Sequence, residues 1–239
     1  MEILSKPEIV EKFFPIPFQK YITLQNKSGM PAKDYDWFQE CIDLISPILE
    51  KNDIKILLLG KEGDEKNPPQ PFRDVIDLRN QTSIGQAAYI IKRSMCHLSV
   101  DSWSCHFAGA NNVPLVALFG STTVSNHAPF HSSDKHYYFE SHRNGNKATF
   151  SREEYPKSIN LIKPEEVAAK VLEFLGLEFN YDYETLEINE QYNVVSVESI
   201  PDQVVNVSNL NIPSLIVRMD YFFNEHNLLG QLHQGKCSI

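Results

Sequence analysis

The sequence predicts an α/β fold built on a doubly wound parallel sheet, and two observations carry that prediction. From Tyr21 to Gly176 short apolar runs alternate with amphipathic stretches, as βαβ units require. The intervening stretches also carry helix-start and helix-stop chemistry rather than hairpin turns.

The strand candidates are Tyr21–Gln25, Ile54–Leu59, Val75–Leu78, Cys96–Val100 and Leu115–Phe119. Between the first two, Trp37, Cys41, Leu44, Ile45 and Ile48 recur at three- and four-residue spacing and share one helix face. A second helix starts at Ser83, where Ser83 and Gln86 have the form of a capping box. A short third helix follows Asp101. A fourth opens on Lys163-Pro164-Glu165-Glu166, with Pro at the first helical position and acids in the first turn, and stops at Gly176. Gly63–Pro71 and His131–Tyr155 read as exposed loops, the latter with a strand at His136–Phe139.

After Gly176 the composition changes. Tyr181–Glu190 is acidic and aromatic, Val194–Val197, Val204–Val207 and Leu215–Val217 are strand-like, and Asp220–Gln231 is patterned as a helix. The expected organisation is one domain over residues 1–178 and an α+β extension over 179–239. The close on Gly235-Lys236-Cys237-Ser238-Ile239 resembles the truncated start of another domain.

A chain of 239 residues with 42% hydrophobic content can bury one full-sized core. The net charge of -9 argues against a nucleic acid or an anionic membrane as partner, since both need clustered Lys and Arg. No apolar run approaches the ~20 residues of a membrane span, and Met1–Val10 lacks the form of a signal peptide, so a cytoplasmic protein is expected. Cys41, Cys96, Cys105 and Cys237 are unpaired in pattern, and His97, His127, His131, His136 and His142 lack ligand spacing, so no metal site is expected.

Chemistry concentrates between Val100 and Thr122. A strand ends at Asp101, a helix begins at once, and the next strand ends at Phe119 in the loop Gly120-Ser121-Thr122. In an open α/β sheet ligands sit beyond the carboxyl ends of the strands, so Asp101, Ser102 and that loop should line one crevice. Free amides at the start of the helix would favour a phosphate or diphosphate there, with His106 one turn further on. Each residue also has a structural reading. Asp101 could serve merely as an N-cap, His106 as an ordinary helix histidine, Lys33 as a solvated charge at a helix start, and Gly120 as a turn.

The segment from Asp101 to Thr122 resembles glycosyltransferase family 9, whose members carry Asp-Thr/Ser-Gly-x-x-His-x-Ala and then a Pro-led strand ending Phe-Gly-x-Thr. Lys27-Ser28-Gly29 with Lys33, Leu57-Leu58-Leu59-Gly60 with Asp64, Thr82-Ser83-Ile84, and Ile162 to Leu175 resemble further family segments in the same order. The resemblance implies the C-terminal, donor-binding half of a GT-B fold, Rossmann-like, in a heptosyltransferase-like enzyme of lipopolysaccharide biosynthesis. The donor would be a nucleotide diphosphate sugar such as ADP-heptose, with no cofactor, and the acceptor a glycan or lipid-linked glycan. The implied donor-binding set is Ser28, Lys33, Gly60, Asp64, Ser83, Asp101, Ser102, His106, Gly120, Ser121 and Thr122. Transfer would be inverting and metal-independent, with an acceptor-binding domain supplied separately and a general base not recognised in this sequence.

Two departures from the family stand out. Trp103 occupies the position of the family's Gly, where its bulk should narrow or reshape the donor pocket. Few residues precede the first strand, where family members have a whole acceptor-binding domain. The alternative is therefore a catalytically inactive nucleotide-sugar-binding or structural interaction module on the same fold.

Overall fold

The computed structural model describes residues 20–62, 69, 71–131, 133–180, 196–199, 203–204, 206, 214–218, 223–233 and 237–238. The chain divides into two compact units, Met1–Thr185 and Leu186–Ile239.

The first unit holds the predicted parallel sheet. Its strands are β1 (Lys20–Gln25), β2 (Ile54–Leu58), β3 (Ile76–Asp77), β4 (His97–Val100), β5 (Leu115–Phe119) and β6 (His136–Glu140), in the order β3-β2-β1-β4-β5-β6 with every pairing parallel. Five helices pack with it: α1 (Phe38–Lys51), α2 (Ile84–Lys92), α3 (Trp103–Ala110), the single-turn α4 (Val124–His127) and α5 (Pro164–Phe174).

Successive strand residues alternate between two cores, as a strand's period of two dictates. Ile22, Leu24, Ile56, Leu58, Leu98, Val100, Val116 and Leu118 join Phe38, Ile42 and Ile45 of α1 and Val167, Val171 and Leu172 of α5. Tyr21, Leu57, Leu59, Leu115, Ala117 and Phe119 join Ala87, Ile90 and Ile91 of α2 and Cys105 and Ala108 of α3. The capping box expected at Ser83 is present, with Gln86 N donating to Ser83 Oγ and Ser83 N to Gln86 Oε1.

Local differences from the sequence reading have local causes. β3 shrinks to two residues: Asp74 enters the left-handed region at φ 57°, and the Asp77 carboxylate turns the chain by accepting from the Arg79 amide at 2.9 Å. α1 begins at Phe38, because Trp37 stands outside the helix with its indole N–H donating to Asn160 O at 3.1 Å. Asp101 is not a helix cap. Ser102 occupies that position and Asp101 lies one residue earlier.

The second unit contains β7 (Ser196–Ser199), β8 (Ser214–Val217) and β9 (Cys237–Ser238) in one parallel sheet, with helix α6 (Glu225–Leu232) between β8 and β9. Val204 and Asn206, in the strand-like run 204–207, are not in a strand, and Val205 and Val207 lie outside the described residues. Among the described residues no helix is long and apolar enough to cross a membrane.

Candidate functional site

The chain leaves β1 towards β2 and β3 on one side of the sheet and builds β4, β5 and β6 on the other. The connections after β1 and β4 therefore diverge, opening a crevice at the carboxyl ends of these two central strands, where open α/β sheets bind ligands.

One carboxylate organises that crevice. Asp101 follows β4 and is almost fully buried. Its Oδ2 takes the Lys33 ammonium at 2.7 Å and the Thr122 hydroxyl at 2.8 Å, while its Oδ1 faces His106 Nε2 at 3.9 Å. Lys33 comes from the loop after β1, Thr122 from the loop after β5 and His106 from α3, so three segments meet on one side chain. Lys33 ends the 3-10 helix Pro31–Lys33 instead of starting an amphipathic α-helix, and its side chain is only 13% exposed. The solvated-charge reading of Lys33 is thereby corrected.

At the start of α3, Ser102 makes no side-chain cap, and its hydroxyl pairs with Ser104 Oγ at 3.0 Å. The first-turn amides of α3 thus keep their donors, and the positive end of the helix dipole sits beside Asp101. Trp103 is the first residue of α3 and is 39% exposed, its ring centroid 6.4 Å from that of Phe107.

The loop after β1 is shaped by its own side chains. The Ser28 amide donates to Asp34 Oδ1 at 2.8 Å, the Ser28 hydroxyl donates to Met30 O, and Lys27 reaches Asp34 Oδ2 at 3.4 Å. Burial pushes the Asp34 carboxyl above its ordinary range, against the opposing pull of the Ser28 amide and the Lys27 charge.

The remaining predicted residues fall around this centre. Gly60 closes β2 at φ 129°, a conformation that side chains resist, and its carbonyl accepts from the Asn80 amide at 3.0 Å. Ser83 spends its hydroxyl on capping α2. Gly120 has no room for a side chain: a Cβ there would stand 2.4 Å from Ile159 Cβ and 2.6 Å from Ile159 N. Ser121 is fully buried and its hydroxyl has no hydrogen-bond partner among the described residues. Asp64 lies outside the described residues.

Several residues that shape the crevice escaped sequence reasoning. Arg79, buried behind β2 and β3, reaches Glu62 Oε2 at 2.5 Å and Asp77 Oδ2 at 2.6 Å, and Asn26 Nδ2 donates to the same Glu62 oxygen at 3.1 Å. Burial alone would raise the Asp77 carboxyl, but hydrogen bonds and charge from Arg79 bring it below its ordinary value. The only hint in the sequence was Asp77-Leu78-Arg79, an opposite-charge pair two residues apart at a strand end. Arg143 donates to the carbonyls of Gly120 at 2.7 Å and Thr122 at 2.6 Å, and its charge is met by Glu140 at 2.9 Å. It fixes the loop that delivers Thr122.

The segment after β6 is the exposed loop that the sequence predicts, and it is also tied across the sheet's carboxyl edge. The Phe150 amide donates to Ser121 O at 2.8 Å, and Arg152 O accepts from the Ala32 amide at 3.1 Å. These anchors belong to the loops after β5 and β1, so the strap between them crosses the end of β4.

Beneath the crevice, Thr23 of β1 pairs in register with His97 of β4. The Thr23 hydroxyl donates to Ser94 Oγ at 3.1 Å, which leaves His97 Nδ1 to donate to Thr23 at 2.9 Å. Burial pushes the His97 imidazole down to about 3. A groove of about 430 Å³ beside α1 and the start of β2, lined by Pro47, Ile54 and Asp74 among others, contains none of the predicted site residues.

Comparisons with known proteins bear on the family and the fold. The family model of glycosyltransferase family 9 (heptosyltransferase) matches residues 5–158. Among solved structures, the ADP-heptose lipopolysaccharide heptosyltransferase II of E. coli is similar at 18% identity and a TM-score of 0.51, over 72% of this chain and 52% of that one. A family 9 glycosyltransferase from Veillonella parvula DSM 2008 is similar at 18% identity and a TM-score of 0.53, over 73% and 53% of the two chains. TibC, a dodecameric iron-containing heptosyltransferase solved with ADP-D-beta-D-heptose, is similar at 12% identity and a TM-score of 0.50, over 66% and 46%. The chain spans about half the length of these proteins. No curated protein matches the sequence.

Proposed function

Because the chain belongs to glycosyltransferase family 9, we propose that its first unit binds a nucleotide diphosphate sugar as the donor half of a sugar transferase. The observation that carries this reading is the convergence of Lys33, Thr122 and His106 on Asp101 beside the uncapped start of α3, at the point where strand order reverses.

In this reading the first-turn amides of α3 and the Lys33 ammonium receive the diphosphate, and their fixed positive ends stabilise the charge that grows on it as the glycosidic bond breaks. Asp101 holds Lys33 in place and, with His106, orients the sugar and its phosphate. Thr122 and Ser121 set the floor of the crevice, Gly60 and Ser83 border the nucleoside end, and Ser28 shapes the loop that carries Lys33. ADP-heptose, the ligand of TibC, is the donor to try first. The acceptor, a glycan or lipid-linked glycan, and the general base would come from a separate acceptor-binding domain or chain, with transfer inverting, metal-independent and on the cytoplasmic side.

Calorimetric titration with ADP, UDP, GDP and CDP tests the donor site. Saturable binding of at least one, with a matching rise in melting temperature, is expected, since a ligand that binds only the native state stabilises it. Absence of heat with all four at millimolar concentration would reject the reading.

A further inference from the structure

We propose that Arg152, carried on the strap across the end of β4, supplies the unpaired positive charge that grips the diphosphate. This inference rests on the donor-site reading above and adds to it a residue that the sequence reading did not single out.

Position is the first argument. The strap's two anchors are the immediate chain neighbours of the two residues that hold Asp101. Ala32, which donates to Arg152 O, precedes Lys33, and Ser121, which accepts from Phe150 N, precedes Thr122. Arg152 is therefore bonded through its backbone to the residue that precedes Lys33, on an exposed stretch at the carboxyl edge of the sheet. The buried, unpartnered hydroxyl of Ser121 lies under the strap's other anchor.

Charge is the second argument. A nucleoside diphosphate brings two or more negative charges, and the helix start offers the equivalent of roughly half a positive one. Four other cations at this edge are engaged: Lys33 by Asp101, Lys27 by Asp34, Lys157 by Asp36 and Arg143 by Glu140. Arg152 is exposed and has no ion-pair partner among the described residues. The oxygens of Glu154, two positions on, are occupied by Thr149 at 3.0 Å and by the amide and hydroxyl of Ser158 at 2.8 and 2.7 Å. Those bonds stiffen the strap and leave the guanidinium uncommitted. Its planar fork matches two oxygens of one phosphate, which a point charge such as lysine does not.

The test compares ADP and adenosine on the full chain by calorimetry, in the wild type, Arg152→Ala, Arg152→Lys and a control, Lys147→Ala, at an exposed lysine of the same segment. Arg152→Ala should weaken ADP roughly tenfold or more while leaving adenosine unchanged, as loss of a charged hydrogen bond implies. Arg152→Lys should recover only part of that loss, and Lys147→Ala should bind as the wild type. Wild-type ADP binding with an Arg152→Ala affinity within about twofold overturns the assignment and leaves the donor site standing. Equal losses of ADP and adenosine overturn it in favour of a structural role. A wild type that binds no nucleotide overturns both.

Discussion

The Lys33 ammonium lies 2.7 Å from the Asp101 carboxylate, and the two side chains are only 13% and 5% exposed. The pair ties the loop after β1 to the end of β4, and in the proposed donor site it holds Lys33 for an incoming phosphate.

Lys33→Ala should therefore do two things. It should weaken nucleotide binding by roughly tenfold or more, the value of a charge-assisted contact. It should also cost about 2 kcal/mol of stability, because Asp101 would keep only Thr122 and a distant His106 to offset its burial. Parallel calorimetry and urea melts read both. Unchanged stability would mean that the pair is not formed in solution.

Gly120→Ala should destabilise the first unit by several kcal/mol, since the new Cβ would stand 2.4 Å from Ile159 Cβ and 2.6 Å from a backbone nitrogen that cannot swing aside. The backbone shift would also move Thr122 off Asp101. A variant that melts within a degree of the wild type would refute the close approach.

His97 gives a pH signature. Its folded value of about 3 lies below the ordinary 6.5, so between these limits the unfolded chain binds a proton that the folded protein refuses. Stability should be unaffected by this group above pH 6.5 and should fall towards pH 3 with a slope of roughly 1 kcal/mol per pH unit. His97→Gln should flatten that part of the profile in denaturant melts. An identical slope in the variant would assign the acid sensitivity to other groups.

How much of this was legible in the sequence follows from what each feature depends on. Strands β1 to β6 and helices α1, α2, α3 and α5 were visible because apolar period and end chemistry are local: the Ser83 capping box and Pro164 announce their helices by themselves. Asp101 and His106 could be placed at one crevice from the strand end and the helix that follows it, whereas Lys33 could be added only through family resemblance, since it comes from a loop far away in the chain. Arg79, Arg143 and the strap were hidden. Arg79 is buried only because Glu62, Asp77 and Asn26 meet around it, and the strap is held by backbone groups of Ala32 and Ser121, which carry no side-chain signal.

Trp103 stands where the family has glycine, and the geometry now separates two roles for it. If its bulk covered the first-turn amides of α3, removing it would tighten nucleotide binding. The ring, however, leans on Phe107 one helical turn along, 6.4 Å between centroids at a 57° tilt, so it lies on the flank of the helix and keeps 39% of its surface exposed. That face is free to stack on a base or sugar. Trp103→Gly should thus weaken nucleotide binding, and it should cost up to about 1 kcal/mol of stability through helix propensity, plus the lost ring contact. Trp103→Phe should keep much of the affinity by restoring an aromatic face. Titrations of the three proteins, with circular dichroism to show that each is folded, decide the matter: tighter binding by Trp103→Gly would mean that the indole blocks the amides, and equal affinities would place it outside the site.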